Sequence, residues 1–185
     1  LSIAKFMPDG LLEAMRGTGE PRPAAIESVN MVVDLFEPSL APRHALAAGY
    51  DVAVQGSPDE RALCAQVVSL APGALDLSGS VDVPTLMGLI HGCTAFVAND
   101  SGPMHLARAL GVPTLGIFGS TDPGMFAWPG HRALFAGLPC SPCSFHGRDA
   151  CPLNHLRCLL DIEVEPAWKA LAALVAGGPV ESVGA

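Results

Sequence analysis

The chain has 185 residues, half of them apolar, with a formal net charge of −8 and six cysteines. That length supports one domain with a core of its own and is short for two full domains flanking a cleft. An acidic balance with only two lysines, Lys5 and Lys169, excludes nucleic acid as the main partner, because neutralising phosphates requires a basic surface.

Residues 1–37 form a poorly defined N-terminal segment. Leu11, Leu12 and Met15 share one face of a short helix that Gly17, Gly19, Pro21 and Pro23 end, and Met31 to Phe36 reads as a strand or the end of a linker. Lys5, Asp9, Glu13 and Arg16 interrupt any signal-peptide core, and no apolar run reaches the ~18 residues of a membrane span. Cysteines without an export signal suit a reducing compartment, so the expected location is the cytoplasm.

Residues 38–138 alternate regularly. Leu40, Leu46 and Ala47 follow helical spacing up to Gly49, and Asp51 to Gln55 is a strand. A helix opens at Pro58 and Asp59 and runs to about Leu70, then Leu75 to Leu77 is a short extended run entering a turn at Gly79. Pro84 to His91 is a helix and Ala95 to Ala98 a buried strand. After Asp100 another helix reaches about Leu110, and Thr114 to Phe118 is a continuous apolar strand. Short apolar strands alternating with helices predict an α/β fold, a doubly wound, Rossmann-like parallel sheet covered on both faces. Residues 139–185 complete the same domain as a cysteine-rich segment and a closing helix with Trp168, Leu171 and Leu174 on one face.

The candidate site lies in Asn99-Asp100-Ser101-Gly102-Pro103-Met104-His105. A strand ends at Asp100, Ser101 is a good N-cap, Gly102 allows close backbone approach, and Pro103 suits the first helical turn. Ligands of such sheets sit at the carboxyl ends of the strands, where first-turn amides and the helix dipole attract a diphosphate and His105 is placed to donate to a phosphate oxygen. Simple helix capping explains the same local pattern equally well. Neither G-x-G-x-x-G nor G-x4-G-K-[ST] occurs, which disfavours an unrelated nucleotide-binding domain.

Cys140, Cys143, Cys151 and Cys158 are spaced C-x2-C-x7-C-x6-C around His146 and His155. A structural zinc or iron, free thiols and disulfides all remain open on this spacing. Cys64 and Cys93 read as small buried apolar residues. His44, His91 and His131 read as ordinary surface or helix-end residues, Trp128 and Phe126 as plain core aromatics or, alternatively, as packing under the loop after Pro123 and shaping a pocket there, and Asp100 with Asp122 not as a paired acid and base.

From about Gly49 to Trp168 the chain resembles the ADP-heptose:lipopolysaccharide heptosyltransferases, glycosyltransferase family 9. The matching stretches are Gln55-Gly56-Ser57-Pro58-Asp59-Glu60, Asp76-Leu77-Ser78-Gly79, Val97 to His105, Gly111 to Pro123 and the cysteine-rich tail. The resemblance implies the C-terminal, donor-binding half of a two-domain GT-B glycosyltransferase. Asp100, Ser101, Gly102, Pro103 and His105 then fall on the donor's diphosphate and sugar, Glu60 on the nucleoside, residues 80–82 beside the adenine, and Gly119, Thr121 and Asp122 on a loop over the sugar. It further implies an ADP-sugar donor, a lipopolysaccharide-core or related glycan acceptor, no cofactor for transfer, and peripheral association with the inner face of the cytoplasmic membrane. The family's diphosphate-holding Lys loop has no counterpart here, and the N-terminal acceptor domain, which supplies the catalytic base, exceeds what residues 1–37 can form. No catalytic residue is therefore assigned. The expected alternative is a truncated or split member that holds nucleotide-sugar without turnover of its own.

Overall fold

The computed structural model describes residues 2–4, 40–126, 128–147, 150–177 and 183–184. The helix expected around Leu11 and the strand expected at Met31 to Phe36 lie outside them. Seven strands form one sheet in the order β3-β2-β1-β4-β5-β6-β7. The strands are β1 (Ser2–Ala4), β2 (Asp51–Val54), β3 (Leu75–Asp76), β4 (Ala95–Asn99), β5 (Thr114–Phe118), β6 (His131–Phe135) and β7 (Val183–Gly184).

The helices are α1 (Leu40–Ala47), α2 (Arg61–Leu70), α3 (Val83–His91), α4 (Gly102–Ala109), α5 (Arg157–Leu160) and α6 (Val164–Val175). Most begin or end where the sequence supplies a reason. Asp82 caps α3 by accepting the Thr85 N–H at 2.9 Å, and Pro84 occupies its first turn. The Thr85 hydroxyl and amide also hold the Asp82 carboxyl below its usual range. Before α2 the chain makes a single 3-10 turn over Pro58–Glu60, so the helix predicted from Pro58 begins as a tighter coil.

The strand β4 is buried from Ala95 through Ala98, which is what a strand covered on both faces requires. Ala95 and Val97 join Val52, Val54, Leu115 and Leu134 against Ala45 of α1, Cys64 and Val67 of α2, and Ala170, Leu171 and Leu174 of α6. Phe96 and Ala98 turn the other way, onto Leu86 and Ile90 of α3 and Met104 and Ala107 of α4. The period-two alternation of one strand thus feeds two cores, the structural meaning of a doubly wound sheet.

Two features depart from the sequence reading. The sheet is not wholly parallel: β1 runs antiparallel to both β2 and β4, while every other pairing is parallel. The strands β6 and β7 extend the sheet beyond β5, and β6 begins with His131 and Arg132, two polar residues that mask its extended character in sequence.

Candidate functional site

The carboxyl end of β4 carries the Asp100 segment as predicted. The Asp100 N–H still donates to the Ile117 carbonyl at 3.1 Å, so the sheet fixes the backbone up to the point where the chain turns. Ser101 takes an extended backbone (φ −152, ψ 167) at the N-cap of α4, but its side chain makes no capping hydrogen bond. Pro103 lies in the first turn, and Met104 is buried below it. The amides that open α4 have no acceptor within the helix, and they face the carboxyl edge of the sheet.

One turn in, His105 Nε2 stands 3.4 Å from Asp100 Oδ1. The Asp100 side chain is 17 % exposed and that of His105 43 %, so the carboxylate forms the floor and the imidazole the reachable surface. Gly102 separates packing from function: a Cβ built on it meets nothing within 4 Å. Among the described residues nothing crowds this position, so the space beside the helix entrance is open.

Glu60 and Arg61 stand beyond the end of β2. The Ser57 N–H donates to Glu60 Oε2 at 2.6 Å, which gives that carboxylate a local structural role besides any nucleoside contact. Arg61 Nη2 donates to the Gly79 carbonyl at 2.9 Å. Behind them Cys64 is buried, its thiol pushed up to about 11 by burial and then by the carboxylates of Asp76 and Glu60, in keeping with an inert core residue.

After β5 come Gly119, Thr121 and Asp122. A Cβ on Gly119 would lie 2.8 Å from Leu159 Cδ2, so internal packing alone requires this glycine. Thr121 is buried. Asp122 Oδ1 accepts the Gly124 N–H at 2.8 Å and closes the turn over Pro123–Phe126. The cysteine segment braces this loop: the Cys143 and Ser144 amides donate to the Ser120 carbonyl at 2.8 and 2.9 Å, and the Ser141 hydroxyl donates to the Gly119 carbonyl.

All six cysteines are free thiols in this structure. The amides of Leu156, His155, Leu153 and Asn154 surround Cys151, and those of Leu156 and then His155 do most to lower its thiol pKa. Left-handed backbone at Asn154 (φ 54) and Leu156 (φ 52) shapes that turn. The buried Cys158 thiol is raised by burial and then by the neighbouring sulfurs of Cys151, Cys143 and Cys140. His155 Nε2 lies 3.8 Å from Cys140 Sγ. The four thiols therefore share one neighbourhood, although among the described residues no three Cys, His, Asp or Glu side chains are arranged to hold an ion.

His44 lies in the last turn of α1, as a helix-end residue, whereas His131 and Trp128 are placed otherwise than read. His44 pairs with Glu165 at 3.1 Å and stacks on Trp168, joining α1 to α6. His131 is half-buried beside Arg108. Trp128 is 62 % exposed with the Arg108 guanidinium 5.9 Å above its ring, not packed beneath a loop.

A Rossmann-like sheet whose central strand ends on an acidic, glycine-bearing helix entrance defines an α/β domain of the kind found in GT-B glycosyltransferases. Residues 42–155, more than half of the chain, match the sequence profile described as glycosyltransferase family 9 (heptosyltransferase), and the chain belongs to that family. It is 36 % identical over 93 residues to lipooligosaccharide heptosyltransferase 2 of Campylobacter jejuni, a stretch covering 49 % of this chain and 28 % of that protein. Over 79 residues it is 39 % identical to lipopolysaccharide heptosyltransferase 1 of Pseudomonas aeruginosa, covering 42 % of this chain and 22 % of that protein.

Among solved structures, the E. coli ADP-heptose heptosyltransferase II shares the fold with a TM-score of 0.67 and 18 % identity, over 94 % of this chain and 54 % of that one. The iron-containing dodecameric heptosyltransferase TibC, in complex with ADP-D-beta-D-heptose, gives 0.62 and 17 %, over 87 % and 49 %. The chain thus spans about half the length of these solved relatives. Among the described residues no helix is long and apolar enough to cross a membrane.

Proposed function

We propose that this chain is the donor-binding half of a heptosyltransferase-like enzyme and takes an ADP-sugar, ADP-heptose or a close relative, at the carboxyl edge of its sheet. The observation that carries this reading is the entrance of α4: a first turn that the Ser101 side chain does not cap, open space at Gly102, and the Asp100–His105 pair beside it. The amides of Gly102 and Met104 cradle the diphosphate, Ser101 and Pro103 set the turn, and Asp100 and His105 meet phosphate and sugar. Glu60 receives the ribose through its second carboxylate oxygen. Gly119, Thr121 and Asp122 form the loop over the sugar.

In transfer to a lipopolysaccharide-core or related glycan, the acceptor hydroxyl attacks the anomeric carbon, inverts it and releases ADP. The helix amides and His105 stabilise the negative charge that develops on the leaving diphosphate. Transfer needs no cofactor in this scheme. The proton of the attacking hydroxyl goes to a base outside these residues, on a facing acceptor domain. Such an acceptor places the enzyme at the inner face of the cytoplasmic membrane.

The cysteine segment is proposed to take up a structural zinc or iron through Cys140, Cys143, Cys151 and Cys158. Four thiolates are the donor set that either ion takes, and the sulfurs of Cys140, Cys143 and Cys151 lie near Cys158, although in the described arrangement no three of them are placed to hold one. The ion would supply cross-linking of the segment, not chemistry of transfer.

Calorimetric titration with ADP and ADP-heptose tests the donor site. Gly102→Val and Ser101→Phe should weaken binding by on the order of tenfold or more by filling the diphosphate's place, with the thermal midpoint of Gly102→Val little changed. Unchanged affinity in both variants would remove the assignment. The same preparations, assayed for ADP release with acceptor and with or without a separately supplied N-terminal half, separate a whole enzyme from the second reading. A donor-binding half should release ADP only on mixing.

A further inference from the structure

Arg61 is not explained by the helix it opens. A cation at the first residue of α2 opposes the helix dipole, so local stability argues against it there. Its guanidinium instead reaches across to another turn, donating from Nη2 to the Gly79 carbonyl at 2.9 Å. The contact is close on both sides. Gly79 has φ +59, and a Cβ on it would lie 2.5 Å from Arg61 Nε and 2.9 Å from Pro58 Cα.

The two turns are fastened elsewhere too. The Gly79 N–H donates to the Gly56 carbonyl at 2.8 Å and the Leu77 N–H to the Val54 carbonyl at 2.9 Å. Asp76 Oδ1 accepts both the Ser78 N–H (2.9 Å) and its hydroxyl (2.7 Å), and Asp82 closes the far end as the cap of α3. Backbone bonds thus set the inner edge of the turn. Arg61 adds a side chain that pins the Gly79 carbonyl, which among the described residues has no other side-chain donor.

From this placement we infer that Arg61 is a positioning residue for nucleoside recognition, holding residues 77–82 against the Glu60 turn so that both form one rigid shelf. The inference rests on the donor-site reading and assigns Arg61 no contact with the reacting atoms. A shelf held in its bound arrangement loses less conformational freedom when nucleoside arrives, and that saving appears as affinity. The diphosphate end, on α4, does not depend on it.

ADP titrated by calorimetry and inorganic pyrophosphate titrated by NMR, on wild type, Arg61→Ala, Arg61→Lys and Gly79→Ala, distinguish these ends. Arg61→Ala should weaken ADP by on the order of tenfold and leave pyrophosphate within about twofold, with the thermal midpoint little moved because the side chain is exposed. Arg61→Lys, which keeps a cationic donor, should recover part of the loss, and Gly79→Ala should repeat the selective loss from the other side. Wild-type affinity for ADP in Arg61→Ala, or parallel loss of ADP and pyrophosphate, would overturn the inference. Failure of wild type itself to bind ADP would instead overturn the donor-site reading, and the inference with it.

Discussion

His131 opens β6 with its Nδ1 buried and lacking a hydrogen-bond partner, and burial, then the Arg108 guanidinium, lowers its pKa to about 4. The neutral imidazole is the form the fold accepts. In the unfolded chain His131 takes up its proton near 6.5, so below that pH the unfolded state binds more protons than the folded one. The stability contribution is therefore complete above pH 6.5 and is lost progressively as pH falls toward about 4. Thermal midpoints measured across this window should fall less steeply for His131→Phe than for wild type. Parallel curves would show that the histidine is not a source of the acid sensitivity. At this scale the sequence marked Asp100, Gly102 and His105 because motif spacing survives folding. It could not distinguish Gly102, which faces open space, from Gly119, which Leu159 occupies, because that difference depends on a side chain 40 positions away. Arg61 escaped notice for the same reason, since its partner belongs to another turn.

The elements of the central sheet were the most legible. The strands β4 and β5 are short apolar runs bounded by turn residues, and their helices carry caps or Pro and Gly punctuation, so local chemistry agreed with the fold. The strand β6 was missed because two polar residues open it, and β1 because three residues carry no period. The cysteine segment is legible only as composition. It holds Leu153, Leu156, Leu160 and Phe145 exposed, so it has little apolar packing of its own to order it. A metal would supply that order, and the hydrogen bonds from Ser141, Cys143 and Ser144 to the carbonyls of Gly119 and Ser120 would pass it to the loop of residues 119–122, proposed to lie over the sugar. Elemental analysis of chelator-free protein should give about one zinc or iron per chain, and stripping it should weaken ADP-heptose more than ADP. Protein without metal, with its clustered thiols titrating freely, would reject this role.

At the scale of the molecule, the two sets of parallel strands are joined in an unusual way. Among the described residues β3 and β2 on one side, and β4 to β7 on the other, connect only through β1. Three residues thus carry the continuity of the sheet, pairing Ser2 with Ala53 and with Phe96. Both pairings close long loops, whereas β4 with β5 and β5 with β6 join strands close together in sequence. Folding should therefore complete the β4–β6 half early and set β1 late, because loop-closure entropy must be met before a distant strand gains its bonds. The same order reversed is the path of local opening: β1 leaves first, and the facing amides of β2 and β4 lose their partners together. Native-state hydrogen exchange should find those amides exchanging as one group, sooner than amides shared between β5 and β6, and uniform protection across the sheet would refute it. When β1 is out, the slot exposes two unpaired strand edges at the centre of the domain, where another chain's strand could enter, so the protein's tendency to self-associate is tied to the lifetime of its shortest interior strand.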